Sequence, residues 1–141
     1  MSEAEISMST KPKPVPLAIV ICDQIIEDRL TGKKTLVGVF NSIAARQFPC
    51  THASMSVFVS LTDGHGKYEC MLVCRNESSE QPILQTHGPI EFADPTVVVE
   101  MHFALQGVTF PKPGLYSFEF YADEELLLER KFNVAELKET R

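Results

Sequence analysis

Tryptophan is absent, and no apolar run approaches the ~20 residues that a membrane-spanning helix needs. Without an indole, sugar stacking is left to three tyrosines, Tyr68, Tyr116 and Tyr121. The first sixteen residues, MSEAEISMSTKPKPVP, lack the apolar core of a signal peptide. Clusters of Lys and Arg are also missing. The 19 acidic side chains outnumber 13 basic ones, for a net charge of −6. Nucleic-acid affinity comes largely from neutralising phosphates, so this balance disfavours a polyanionic partner. Together these absences point to a cytoplasmic protein whose partners include neither nucleic acid nor membrane.

What is present suffices for a core. The chain has 141 residues, 44% of them hydrophobic, and a chain of that length buries roughly 70% of its unfolded surface. Neither disulfides nor metal are needed for folding. Four cysteines (Cys22, Cys50, Cys70, Cys74) are therefore expected as free thiols. Cys70 and Cys74 share one face of an expected strand and stand roughly 13 Å apart at ~3.3 Å per residue. A disulfide needs Cα atoms within about 7 Å, so these two cannot bridge.

Periodicity sets the fold class. Residues 110–134 read FPKPGLYSFEFYADEELLLERKFNV: an alternating aromatic strand (Tyr116, Phe118, Phe120), an acidic turn, and a second alternating strand (Leu126, Leu128, Phe132, Val134). Such period-2 alternation between Pro, Gly and Asp clusters marks a half-buried hairpin. With residues 123–125 as a three-residue loop, Ala122 faces Leu126, Phe120 faces Leu128, Tyr116 faces Phe132 and Gly114 faces Val134. Phe118 opposite Arg130 is the misfit, which predicts a bulge or a snorkelling arginine. The preceding GVTFPKPGLY matches the corner of immunoglobulin-like domains where a Tyr hydroxyl ties down a crossing loop.

The rest of the chain follows the same grammar. Residues 1–16 read as a disordered arm ending in a stiff KPKPVP segment, followed by one domain over residues 17–141. Residues 17–26 form strand one, apolar on both faces near its start, as in a strand covered on both sides or swapped against a partner. Residues 35–43 return beside it, with Gly38 marking a bulge or close approach, and residues 44–54 are irregular. Residues 55–62 place Met55, Val57, Val59 and Leu61 on one face, the Asp63-Gly64-His65-Gly66 turn follows, and residues 67–75 place Tyr68, Cys70, Leu72 and Cys74 likewise. Residues 82–92 read as a broken strand around His87-Gly88-Pro89. Residues 96–105 point Val97, Val99, Met101, Phe103 and Leu105 inward. About eight strands without a long 3.6-period segment predict an all-β, antiparallel, immunoglobulin-like β-sandwich.

The segment VICDQIIEDRLTGKKTLVGVFNSI, with Phe48-Pro49 and PGLYSFEFYADEELLLERKFNV, resembles a family of small bacterial proteins of unknown function. The similarity spans most of the chain after Leu17. Its motifs are turn and core residues, so it implies a fold and carries over no catalytic residue.

No motif supplies chemistry. Thr31-Gly32-Lys33-Lys34-Thr35 superficially suggests a phosphate loop, but position 27 is Glu where a second Gly is required, and a strand rather than a helix follows. Cys50-Thr51-His52 with Cys70 and Cys74 invites a zinc site. Structural zinc, however, takes paired ligands on turns, and small buried hydrophobes explain these cysteines better. His52, His65, His87 and His102 are scattered, and no nucleophile elbow accompanies them. Asp23, Glu27 and Asp28 lack the spaced oxygen ligands of a calcium loop. No catalytic, cofactor-binding or metal residue is therefore assigned, and no cofactor is expected.

The remaining functional signal is apolar surface. Leu115, Tyr121 and Leu127 fall on the face of the closing hairpin opposite the core, and Ile19 and Ile21 lie on the doubly apolar strand one. These five form the expected interface, with strand one at a sheet edge. The reading is a non-enzymatic protein-binding or scaffolding module, expected as a dimer, with another protein as a second candidate partner. A carbohydrate- or small-ligand-binding sandwich is the alternative, and an uncharacterised enzyme or metal protein the third.

Overall fold

The computed structural model describes residues 11–138 of the chain. The strands are β1 (Val15–Glu27), β2 (Lys34–Val39), β3 (Ser42–Ala45), β4 (Cys50–Thr62), β5 (Gly66–Asn76), β6 (Pro82–Phe92), β7 (Val99–Phe110), β8 (Gly114–Ala122) and β9 (Glu125–Glu136). They form a four-stranded sheet in the order β2-β1-β4-β7 and a five-stranded sheet in the order β3-β9-β8-β5-β6. Neighbours run antiparallel except β3 and β9, which are parallel. The inner faces of the two sheets meet in one apolar core, which makes the protein an all-β sandwich. Among the described residues no helix is long and apolar enough to cross a membrane. Residues 1–10 of the expected arm lie outside the described residues, whereas residues 11–14 are seated against the sandwich.

The strand expected over residues 35–43 is two strands in different sheets. After β2 the chain crosses the sandwich: Phe40 N–H donates to the Ile21 carbonyl (3.0 Å) in one sheet, and the next carbonyl, of Asn41, accepts from Asn133 N–H (3.1 Å) in the other. Residues 44–54, expected to be irregular, contain the end of β3 and the start of β4, separated by a stretch with a cis Phe48-Pro49 bond. Gly38 has φ +71°, and a Cβ there would lie 2.3 Å from the Asp23 carboxylate. Both the backbone angle and the close approach exclude a side chain.

Alternation places the core largely as the pattern implies. Met55, Val57, Val59 and Leu61 are buried on β4, Tyr68, Cys70, Leu72 and Cys74 on β5, and Tyr116, Phe118 and Phe120 on β8. On β7 the inward set changes from odd to even positions, ending in buried Val108 and Phe110. The change falls at Gly107, whose positive φ of +66° reorients the strand. Val97, expected inward, is 41% exposed. It lies in a turn that Asp94 holds by accepting from Thr96 N–H (2.8 Å) and its hydroxyl (2.7 Å), so β7 begins only at Val99. Strand β6 is unbroken through Pro89, which an edge strand tolerates because one row of its N–H groups has no ladder partner.

The closing hairpin keeps its expected register from Phe120 opposite Leu128 to Gly114 opposite Val134. Its turn is tighter than three residues. Asp123 and Glu124 take positive φ (48° and 70°), and Glu125 already pairs with Ala122. The surplus residue is taken up by a bulge at Leu127, not at Arg130. Arg130 instead reaches out of the core and donates to the Asn41 side-chain oxygen at 2.5 Å. Tyr116 hydroxyl donates to the Lys112 carbonyl (2.7 Å), the corner contact of immunoglobulin-like domains.

The four-stranded sheet departs from flatness at the β1–β2 hairpin. Strand β1 pairs with β4 only as far as Cys22 opposite Ser56, and Glu100 of β7 lies level with Ser60 and Ala18. A flat continuation would carry Lys34, opposite Glu27, roughly 30 Å along the strands from that level, at ~3.3 Å per residue. Yet Lys34 Nζ is 3.1 Å from Glu100 Oε1. The β1–β2 hairpin therefore bends back toward the outward face at Glu100; Cys22, Ser56 and Ser60 on that face are buried, whereas Glu100, His102, Ala104 and Gln106 of β7 are exposed.

Truncating a fully buried Phe to Ala costs ~3–5 kcal/mol, so Phe120→Ala should strongly destabilise the domain in denaturant melts. Ser117, on the opposite face, is fully buried with its hydroxyl unpartnered. Ser117→Ala removes an unsatisfied group and should be neutral or stabilising by about 1 kcal/mol. Equal losses for the two variants would mean that β8 is inverted.

Candidate functional site

The outer face of the five-stranded sheet is the candidate surface, because it gathers half-buried Met71 and Tyr121 and exposed Leu126, whereas the exposed outward positions of β7 are polar or small (Glu100, His102, Ala104, Gln106). Odd positions of β5 and β8 face outward here because their even positions fill the core. Cross-strand pairing builds three rows. His87, Met71, Tyr121 and Leu126 stand side by side, as do Gln85, Val73, Glu119 and Glu129. Arg75, Ser117 and Lys131 make the third row.

Arg75 Nε lies 2.9 Å from Glu119 Oε1, and the Tyr121 hydroxyl donates to the same oxygen at 2.8 Å. Arg75 Nη1 also donates to the Glu80 carbonyl (2.7 Å). The hydrogen bond from Arg75 to Glu119 raises the guanidinium pKa further, and partial burial followed by Glu119 raises that of the Tyr121 phenol. Val73 and Ser117 are buried beneath this layer. Glu119 faces Glu129 directly, a like-charge pair that Arg75 offsets from one side only. A groove of about 450 Å³ lined by Arg75, Glu77, Glu80, Glu119 and Glu129 continues this acidic end. The other end is more apolar, with Met71, Tyr121 and exposed Leu126 (46%) beside His87.

The five expected interface residues separate. Leu115 is 44% exposed and Tyr121 half-buried, both on this face. Leu127 is not on it: the bulge turns its side chain to pack against the core, and Leu126 stands opposite Tyr121 instead. Ile19 and Ile21 are core residues, 7% and 0% exposed. Residues 15–21 of β1 pair with β4 alone, the sheet edge expected of strand one, and β2 joins only from Cys22 onward, but Ile19 and Ile21 on that stretch point inward. The Arg75–Glu119–Tyr121 network went unseen in the sequence because it joins residues 44 apart.

The other motifs are structural. The Asp28 carboxylate accepts from Leu30 N–H (2.8 Å) and Thr31 N–H (2.9 Å). The amides that a phosphate would require before Gly32 are thus occupied, and β2 follows. His52 packs against the Phe40 ring at 5.8 Å. Among the described residues no group of three or more His, Cys, Asp or Glu converges as a metal site would.

The architecture and its open face define an immunoglobulin-like β-sandwich whose framework is built of turn, corner and core residues. Over residues 17–135 the chain matches the model of a family of unknown function, DUF6941, and it belongs to that family. A comparison with curated proteins found no match. Among solved structures the chain is similar to part of a β-glucosidase from Listeria innocua, with 13% identity, TM-score 0.45, and 67% of this chain and 14% of that chain covered. The same enzyme in complex with isofagomine matches at 11% identity and TM-score 0.46, covering 84% and 16%. An immunoglobulin-like protein from Pseudomonas aeruginosa matches at 12% identity and TM-score 0.42, covering 89% and 98%. The chain thus spans 14% and 16% of the β-glucosidase chains it matches, and none of the three lends it an activity.

All four cysteines are free thiols here. Burial, followed by Asp123 and Glu69, pushes Cys70 up to about 12, and burial, followed by Glu119, does the same to Cys74. Both stay protonated and unreactive at neutral pH. Cys50, only partly buried, should be alkylated first in the native protein at mildly alkaline pH. Cys70 and Cys74 should react only after denaturation, as read by peptide mass. Native labelling of either at the rate of Cys50 would contradict the packing of β5.

Proposed function

We propose that the protein is a non-enzymatic protein-binding or scaffolding module of the cytoplasm that acts as a homodimer. The observation that carries this reading is the difference between the two outer faces: the exposed outward positions of β7 are polar or small, while the five-stranded sheet sets half-buried Met71 and Tyr121 beside exposed Leu126. Apolar and aromatic anchors beside fixed polar groups are what interface centres are made of. The Arg75–Glu119–Tyr121 bonds hold the Tyr121 ring in place before contact, which lowers the ordering cost of association. A two-fold contact centred on the Met71–Tyr121–Leu126 row pairs apolar surface with apolar surface. It leaves the acidic end around Glu119 and Glu129 at the rim, where a basic partner would meet it. Glu119 already holds two donors, so the network serves as a positioned surface rather than as a base beside a nucleophile.

Light scattering over a dilution series tests this. A dimer mass is expected at tens of micromolar. Tyr121→Asp combined with Leu126→Asp should raise the dissociation constant by at least the hot-spot level of about 2 kcal/mol. A monomer at every concentration removes the dimer, and a dimer indifferent to the double variant removes this face as its contact.

A further inference from the structure

The second organised feature lies at one end of the sandwich, where the turns of β4–β5 and β8–β9 come together. Residues 11–14, Lys-Pro-Lys-Pro, lie against Tyr68 and Asp123 and, with Ala122 and Glu125, wall an open groove of about 390 Å³. The Lys11 ammonium is the centre of the contact. It lies 2.8 Å from Asp123 Oδ2, donates to the Lys67 carbonyl, and sits 4.2 Å from the centroid of the Tyr68 ring. A carboxylate, a carbonyl and an aromatic face thus surround one cation. Proline follows it, and the Tyr68 hydroxyl donates to the Pro12 carbonyl at 2.7 Å.

The groups that receive Lys11 and Pro12 are also bonded to the sandwich itself. Tyr68 is 3% exposed, its ring held edge-on to Phe92 at 5.7 Å, and its hydroxyl accepts from His65 N–H at 3.0 Å. Asp123 is fixed by the hairpin: its Oδ1 accepts from Glu69 N–H (2.9 Å) and its own N–H donates to the Glu69 carbonyl (2.8 Å). Partial burial alone would raise the Asp123 carboxyl. The bonds from Lys11 and Glu69 outweigh it and hold the carboxyl below the ordinary carboxylate range. Lys13 stands 4.0 Å from Glu125, a second and looser pairing of the same kind. The proline-spaced occupant is extended and loses little entropy on docking, which is the physics of proline-rich peptide recognition.

We propose that the Tyr68–Asp123 surface on which residues 11–14 lie is a recognition site for an extended lysine-proline segment of a partner protein, and that the chain's own residues 11–14 cover it in cis as a competitor. Charge complementarity sets the ligand class: a lysine for Asp123 and Tyr68, then a proline whose carbonyl meets the Tyr68 hydroxyl. The site adjoins the Met71–Tyr121–Leu126 row, since Asp123 lines a groove with Met71, His87 and Tyr121, but peptide binding and dimer mass are separate readouts, so either assignment can fail while the other stands.

The test uses the full chain and a fluorescent synthetic peptide of residues 10–16, read by anisotropy. Lys11→Ala with Lys13→Ala weakens the internal occupant and should bind the peptide saturably. The wild type should bind it about ten-fold more weakly because its own arm competes at high effective concentration. Adding Asp123→Asn, which keeps the turn and the acceptor for Glu69, should weaken binding to the arm variant by about ten-fold, or about 1.4 kcal/mol. Replacing the peptide's first lysine with norleucine should do the same without altering the protein, which decides the matter if Asp123→Asn unfolds. No saturable binding to the arm variant overturns the site, as does equal binding of the norleucine peptide or of the wild type. If the arm variant instead loses self-association, the groove belongs to the arm of a second copy and the partner assignment falls.

Discussion

Phe110 of β7 crosses the gap between the sheets and meets Tyr116 and Phe132 edge-on, at 5.1 and 5.9 Å. Phe132 in turn stacks on Phe118 at 5.3 Å and on Tyr116 at 5.9 Å. All four rings are essentially inaccessible to water (2% exposure or less), and Tyr116 places its one polar atom on the Lys112 carbonyl. This contact ties the chain leaving one sheet to the chain entering the other within six residues. Aromatic pairs add about 0.5–1.5 kcal/mol beyond area burial, but their geometric effect matters more. Tyr116 opposite Phe132 sets the register of the closing hairpin, and that register determines which side chains face outward.

The two outer faces follow from this frame and differ for physical reasons. On the four-stranded side small residues (Ala18, Ser56, Ser60) leave room for the β1–β2 hairpin to bend toward that face, and the Lys34–Glu100 pair records where its end lands. Gly38 under the Asp23 carboxylate gives that hairpin its close contact. On the five-stranded side long side chains stand up from the sheet and bond to each other: Arg75, Glu119 and Tyr121 lie over buried Val73 and Ser117, and Arg75 also holds the Glu80 carbonyl of the β5–β6 loop. A surface assembled in this way is both ordered and open.

Polar groups recur where turns must be held. Asp28, Asp94 and Asp123 each accept backbone N–H bonds that define a loop. Their capture by amides explains why carboxylates scattered along the sequence do not gather into a chemical site. Asp123 alone also turns an oxygen outward, to Lys11, and this one departure from a purely structural role creates the groove at the end of the sandwich.

Alternation and turn chemistry alone determined the sandwich class, the inward sets on β4, β5 and β8, the tyrosine corner and most of the closing hairpin, because period-2 burial and positive-φ turns are local properties of a strand and its ends. The same local logic placed Tyr121 and Leu115 outward. It failed wherever a residue's environment depends on distant chain. Residues 35–43 read as one strand because a crossing between sheets leaves no mark in apolar periodicity. Ile19 and Ile21 read as interface because a start apolar on both faces does not show which face meets the other sheet; the strand edge there is open, but these two side chains enter the core. Leu127 exchanged places with Leu126 because Asp123 and Glu124 both accept positive φ and shorten the turn by one residue, a shift that moves a side chain to the other face. Arg75 with Glu119, and Lys11 with Tyr68 and Asp123, are brought together only by tertiary structure: each pairing spans tens of residues, and the pairing of β5 with β8 in one sheet sets Arg75 beside Glu119 and Tyr68 near Asp123.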